Sequence, residues 1–96
     1  MKNLEQIKTA LARHKPALQR KYNIRQIGIF GSYASGSAEE HSDIDILVEF
    51  DQPIGLEFVS LADELEELLG VKVDLVSKNA IKRNMLPYVL EDLVYV

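Results

Sequence analysis

Cysteine is absent from the 96-residue chain. That excludes disulfide scaffolds, cysteine–zinc sites and thiol nucleophiles. Long apolar runs are missing too, and none approaches the ~20 residues that a membrane-spanning helix needs. The N-terminal stretch MKNLEQIKTALARHK scatters charge throughout and offers no uninterrupted apolar segment for a secretory signal, so no membrane association and a cytoplasmic location are expected. Positive charge is not in excess. Eleven Lys and Arg stand against fifteen Asp and Glu, a net charge of −4. Strong nucleic-acid binding through the phosphate backbone is therefore not expected.

What is present suits a folded domain: 47% hydrophobic residues and 27% charged ones. The length allows one domain, residues 1–96, and shows no linker, repeat or low-complexity stretch. A domain this small buries a modest share of its surface, so a homo- or hetero-oligomer would be unsurprising.

Between Asn3 and Tyr22, the residues Leu4, Ile7, Leu11, His14 and Leu18 recur at helical spacing. Pro16 is expected to break or kink this helix near His14–Lys15. His14 is expected to pack on the apolar stripe, and Asn23 to end the helix. Ile24–Phe30 reads as a buried strand closed by Gly31. The small, polar run GSYASGSAEEHS, residues 31–42, reads as a turn holding one short helical turn. From Asp43 to Phe50 the pattern alternates. Asp43, Asp45, Leu47 and Glu49 fall on one face, and Ile44, Ile46, Val48 and Phe50 on the other. Leu56–Leu69 carries the strongest helical stripe, with Gly70 in place as its C-cap. Val71–Val76 reads as another strand, with Lys72, Asp74 and Val76 on one face. Asn79 is placed to cap a last helix, and Leu93–Val96 to form a short terminal strand. The order predicts an α+β fold, an α/β-type sandwich in which a small mixed sheet packs against helices.

Two features carry chemistry. Gly31-Ser32 directly follows a buried strand. Glycine permits a tight turn and a close ligand approach, and the free N–H groups of a following helical turn would face an anion. The same dipeptide also serves as a plain turn. The second feature is Asp43-Ile44-Asp45. Aspartate is depleted in strand interiors, and two on one face repel unless a positive charge lies between them. They read either as a solvated strand edge or as a divalent-metal site, in which magnesium takes carboxylates, waters and substrate phosphates. Asp74, inside the otherwise apolar Val71–Val76 strand, becomes a third carboxylate if that strand lies beside the first. Three carboxylates and a phosphate-ready turn suggest phosphoryl or nucleotidyl transfer with two metal ions.

The run Gly31-Ser32, ten residues, then Asp43-Ile44-Asp45 resembles the signature of the polymerase-β-type nucleotidyltransferase superfamily. The wider text IGIFGSYASGSAEEHSDIDILVEF, then PIGL, then VKVDLVS resembles its minimal nucleotidyltransferases, the MNT proteins, from about Ile24 to Ser77. The resemblance implies a polymerase-β-like nucleotidyltransferase core. It implies that Gly31 and Ser32 hold the β- and γ-phosphates of ATP, that Asp43 and Asp45 bind two Mg²⁺ ions, and that Asp74 completes the metal set and helps activate the acceptor hydroxyl. It further implies a HEPN-type toxin as partner, neutralised by transfer of AMP to a tyrosine, with this chain as the antitoxin. The alternatives are an antitoxin that acts by binding alone, and a transferase acting on RNA or a small molecule.

The chain departs from the pattern at Ser35, where relatives often carry arginine, and at Ser37, where they often carry an acidic residue. Lys78, Lys82 and Arg83 could supply the missing cation but read as solvated charges. His41 reads as an exposed loop residue. Asp63, Glu64, Glu66 and Glu67 read as the solvated side of a helix. Tyr88 and Tyr95, with Leu90, Leu93 and Val94, read as core or oligomer contact rather than as a base-stacking surface.

Overall fold

The computed structural model describes residues 2–96. Its first helix, α1 (Leu4–Tyr22), starts at a reciprocal cap. The Asn3 side chain accepts from the Gln6 N–H and the Gln6 side chain accepts from the Asn3 N–H, both at 2.9 Å. Asn23 ends the helix in the left-handed conformation, φ 56°, as expected.

Pro16 does not break α1, which runs through it unbroken. A proline at this position deprives the Ala12 carbonyl of its partner. Ala12 and Pro16 are both exposed, so water can take the lost bond. Ile7, Leu11, Leu18 and Tyr22 are buried on both sides of the proline and hold the helix together across it. His14 is exposed rather than packed. Lys15 instead lies half-buried at this level, with its Nζ donating to the Val96 carbonyl oxygen at 2.6 Å. Pro16→Ala should raise stability by ~1–3 kcal/mol, because it restores a helical bond at an exposed site. The measurement is the urea midpoint, and a lower midpoint would contradict this account of Pro16.

Strands β1 (Ile24–Phe30), β2 (Ile44–Phe50), β3 (Val73–Ser77) and β4 (Val94–Tyr95) form one mixed sheet in the order β3-β2-β1-β4. β1 runs antiparallel to β2 and to β4, whereas β2 and β3 are parallel. The parallel pair needs a crossover, supplied by α3 (Glu57–Leu69), which ends on the left-handed Gly70. A five-residue helix, α2 (Gly31–Ser35), follows β1 without a loop. β2 starts one residue later than the alternation suggests, and β3 covers Val73–Ser77 rather than Val71–Val76.

The last helix also starts later than expected. Asn79 lies inside a short 3-10 turn, Lys78–Ala80, and caps nothing, while α4 (Leu86–Glu91) begins after Met85. Pro87 explains the choice, since proline suits the first turn of a helix and cannot sit in its interior.

Ile44, Ile46, Val48 and Phe50 turn to one side of the sheet, as their alternation predicts, and pack with Ile27 and Ile29 against α1 and α3. Leu61, Leu65 and Leu69 of α3 are fully buried there. Among the described residues no polar or charged side chain is buried. Leu47 points to the opposite face, with Asp45 and Glu49, yet is 2% exposed. It is covered because the chain folds back: α4 contacts β1, and Leu93 lies against Gly28, the residue opposite Leu47. Among the described residues no helix is long and apolar enough to cross a membrane.

Candidate active site

Pairing brings the distant carboxylates together. In the parallel β2–β3 register Asp45 stands opposite Asp74, and in the antiparallel β1–β2 register it stands opposite Phe30. Asp45 is therefore flanked on one side by Asp74 and on the other by the end of β1. Asp43 is the residue before β2 and is exposed. The Ile44 N–H donates to the Lys72 carbonyl oxygen at 2.9 Å, which holds the entrance of β2 against that of β3. The turn preceding Asp43 is closed by the Glu39 N–H donating to the Ser42 hydroxyl at 2.8 Å.

Gly31 follows Phe30 at once and adopts φ +71°, a left-handed conformation that favours glycine. A second constraint acts at the same atom. A Cβ placed on Gly31 would overlap the Asp45 carboxylate and come within 2.9 Å of its Cγ. The Gly-Ser turn and the central aspartate are thus in direct apposition. Tyr33, 3% exposed, anchors α2 in the core beneath them.

The charges that act on Asp45 are both acidic. The Asp45 carboxyl is pushed up to about 6, first by burial, then by the Asp74 charge and a hydrogen bond with Asp74, and then by the Asp43 charge. Among the described residues no three His, Cys, Asp or Glu side chains are arranged as a ready-made metal cage. The donors are all oxygens and incomplete as a set. That composition suits magnesium, which keeps waters and takes substrate phosphate oxygens beside one or two carboxylates.

Two basic residues are engaged at the other end of the sheet. Lys78 pairs with Glu49 at 3.3 Å, and Arg25 bridges Glu49 at 3.6 Å and Asp51 at 2.8 Å, all toward the far ends of β2 and β3. Lys82, Arg83 and His41 are exposed. Ser35 turns inward on its own helix, donating to the Ser32 carbonyl at 3.3 Å and sharing a hydrogen bond with Ser37 at 2.8 Å. Tyr95, read from sequence as core or oligomer contact, is paired with Gly28 on the carboxylate face and is 47% exposed. Its alternation with Val94 in the short terminal strand was the available signal.

A Gly-Ser turn apposed to strand aspartates on a mixed sheet defines a nucleotidyltransferase of the polymerase-β-like, minimal type. The model of the nucleotidyltransferase domain family matches residues 11–95, and the chain belongs to that family. It is 46% identical over 97 residues to the protein adenylyltransferase MntA of Thermococcus cleftensis, covering 100% of this chain and 98% of the relative. A candidate protein adenylyltransferase of Methanocaldococcus jannaschii is 52% identical over 101 residues, covering 100% of both chains. Among solved structures, a candidate minimal nucleotidyltransferase superposes with a TM-score of 0.78 at 33% identity, over 97% of this chain and 95% of the other. A toxin–antitoxin structure with AMP-PNP superposes with a TM-score of 0.74 at 27% identity, over 86% of this chain and 69% of the other. The chain is a nucleotidyltransferase, and its expected fold is the one observed.

Proposed function

We propose that this chain transfers AMP from ATP to a hydroxyl, that of a tyrosine, on a HEPN-type toxin and is the antitoxin of that pair. The observation that carries the reading is the strand register, in which Asp45 faces Asp74 on one side and the Phe30-Gly31 junction on the other. Its relatives support the acceptor class: one is named a protein adenylyltransferase, and another is a toxin–antitoxin pair with an ATP analogue.

Gly31 and Ser32 hold the β- and γ-phosphates. Asp43 and Asp45 would hold two Mg²⁺ ions, with Asp74 completing the set. Such a pair of ions, when bound, stabilises charge on the attacking and leaving oxygens. Asp74 lies on the outer flank of Asp45, away from Gly31, and there its carboxylate would orient the acceptor hydroxyl and take its proton. The acceptor oxygen bonds to the α-phosphorus as the bond to the bridging oxygen breaks, and pyrophosphate leaves. The missing Cβ at Gly31 lets the phosphates approach the carboxylates with no side chain between.

The test is intact-mass measurement of a HEPN-type protein from the same genome after incubation with this protein, Mg²⁺ and ATP. The expected result is a gain of one AMP group or a small multiple, lost with Asp43→Asn/Asp45→Asn. An unchanged toxin mass would reject transfer to that protein. Labelled ATP offered with total RNA or an aminoglycoside would expose the other acceptors.

The second reading, an antitoxin that acts by binding alone, is favoured by Ser35. Its hydroxyl is spent on the Ser32 carbonyl and Ser37, and it brings no cation to the triphosphate side. Neutralisation that survives the double substitution would support this reading.

A further inference from the structure

Phosphates and metals account for the Gly31–Asp45 corner of the carboxylate face, but not for the aromatic ring at the β4 edge of the same face. We infer that Tyr95 is the nucleobase contact of this enzyme, stacking its ring on the base of the nucleotide whose phosphates lie at Gly31-Ser32. The inference rests on the reading of that corner as the nucleotide site.

The placement follows from the register. Tyr95 is paired directly with Gly28, and directly paired residues in an antiparallel ladder point to the same side. Gly28 shares its face with Phe30, two residues on, and Phe30 stands opposite Asp45. The Tyr95 ring is therefore on the carboxylate face. Contact geometry agrees, because a Cβ on Gly28 would meet the Tyr95 ring carbon Cδ1 at 3.4 Å and Leu93 Cδ1 at 2.8 Å. Two strand spacings across and two residues along, the Tyr95 and Asp45 Cα atoms are ~12 Å apart. A nucleoside extending from an α-phosphate at Asp45 reaches that far once the tyrosine side chain leans toward it.

The ring is also prepared for a ligand. It is 47% exposed, whereas its backbone is fixed. Tyr95 pairs with β1, the following Val96 N–H donates to the Ile27 carbonyl at 2.9 Å, and Lys15 Nζ holds the Val96 carbonyl at 2.6 Å. An aromatic with two side-chain torsions on a pinned backbone loses little entropy on stacking. Gly28 contributes by absence: an added Cβ would displace the Leu93 Cδ1 methyl at 2.8 Å and would lie in ordinary contact with the ring at 3.4 Å. Stacking alone tolerates every base, so Tyr95 adds affinity for the nucleoside and little discrimination between bases.

The chain contains no tryptophan, so Tyr95→Trp places a single indole at the site. Its fluorescence should be quenched by Mg·ATP and left unchanged by Mg·tripolyphosphate. In calorimetry on the full chain, Tyr95→Ala should weaken AMP-PNP binding about tenfold or more and Tyr95→Phe should bind like wild type. Tripolyphosphate should bind all three alike, which also shows that the alanine variant keeps a folded phosphate site. Equal AMP-PNP affinity in wild type and Tyr95→Ala would overturn the inference and leave the nucleotide site standing. Unchanged AMP-PNP affinity with a raised KM for the protein acceptor would overturn it in favour of acceptor binding. Wild type that binds neither AMP-PNP nor tripolyphosphate would remove the nucleotide reading itself, and this inference with it.

Discussion

Asp45→Asn should abolish nucleotidyl transfer while making the metal-free protein more stable. The first effect follows from the proposed role of Asp45 in holding the metal ions, and a loss of at least about a thousandfold is expected. The second follows from its surroundings. Burial, Asp74 and Asp43 together raise its carboxyl from the ordinary 3.8 to about 6. Below pH 3.8 both folded and unfolded chains hold the proton and the site costs nothing. Between 3.8 and about 6 the unfolded chain releases the proton first, so stability falls as pH rises. Above about 6 the folded carboxylate is charged in the crowd and the penalty is complete. Asp45 is only half-buried, so solvent screening reduces the penalty to ~1–2 kcal/mol. At pH 8 in chelator the variant should therefore melt roughly 5–10 °C above wild type. Added Mg²⁺ should raise the wild-type melting temperature and leave the variant nearly unmoved. Thermal unfolding by circular dichroism between pH 4 and 8 tests all of this. A variant less stable than wild type at pH 8 would show that Asp45 supports the fold rather than straining it.

The second large effect belongs to a glycine. Gly31→Ala must place a methyl where the Asp45 carboxylate lies, in a backbone conformation that disfavours a side chain. Rotating the carboxylate cannot relieve the contact fully, because the new Cβ would also lie 3.2 Å from the Asp45 Cβ. A stability loss of ~2–3 kcal/mol and a hundredfold or greater fall in transfer are expected. Gly36 supplies the control. It has φ +83° and no atom within 4 Å of an added Cβ. Gly36→Ala should therefore lose only ~1 kcal/mol to backbone strain and keep its activity. Parallel urea titrations and label-transfer assays separate the two cases. Equal losses in both variants would mean that backbone strain, and not contact with Asp45, governs the turn.

Much of this fold was legible because its signals are local. The β2 alternation separated Ile44, Ile46, Val48 and Phe50 from Asp45 and Glu49 without any knowledge of neighbours. Asn23 and Gly70 marked helix ends through their tolerance of left-handed backbone. The failures occurred where tertiary contacts decide. Pro16 sits in an unbroken helix because buried residues on either side hold it there. Leu47 shares a face with the aspartates yet is buried, because the returning chain brings Leu93 against Gly28, the residue opposite it. Asp74 could be named as a candidate from its apolar strand, but its position opposite Asp45 is a fact of β2–β3 pairing. No pattern within either strand specifies that partner.

That pairing has a consequence for errors in assembly. Val73 and Leu75 pack into the core from β3, and Asp74 alternates with them on the open side. A slip of β3 by one position would turn the whole strand over, leaving Val73 and Leu75 in water and driving a carboxylate into an interior that holds no polar partner. The hydrophobic effect thus acts as a proofreader of the catalytic corner. Two apolar side chains reject any copy of β3 slipped by a single position and keep Asp74 on the same face of the sheet as Asp45.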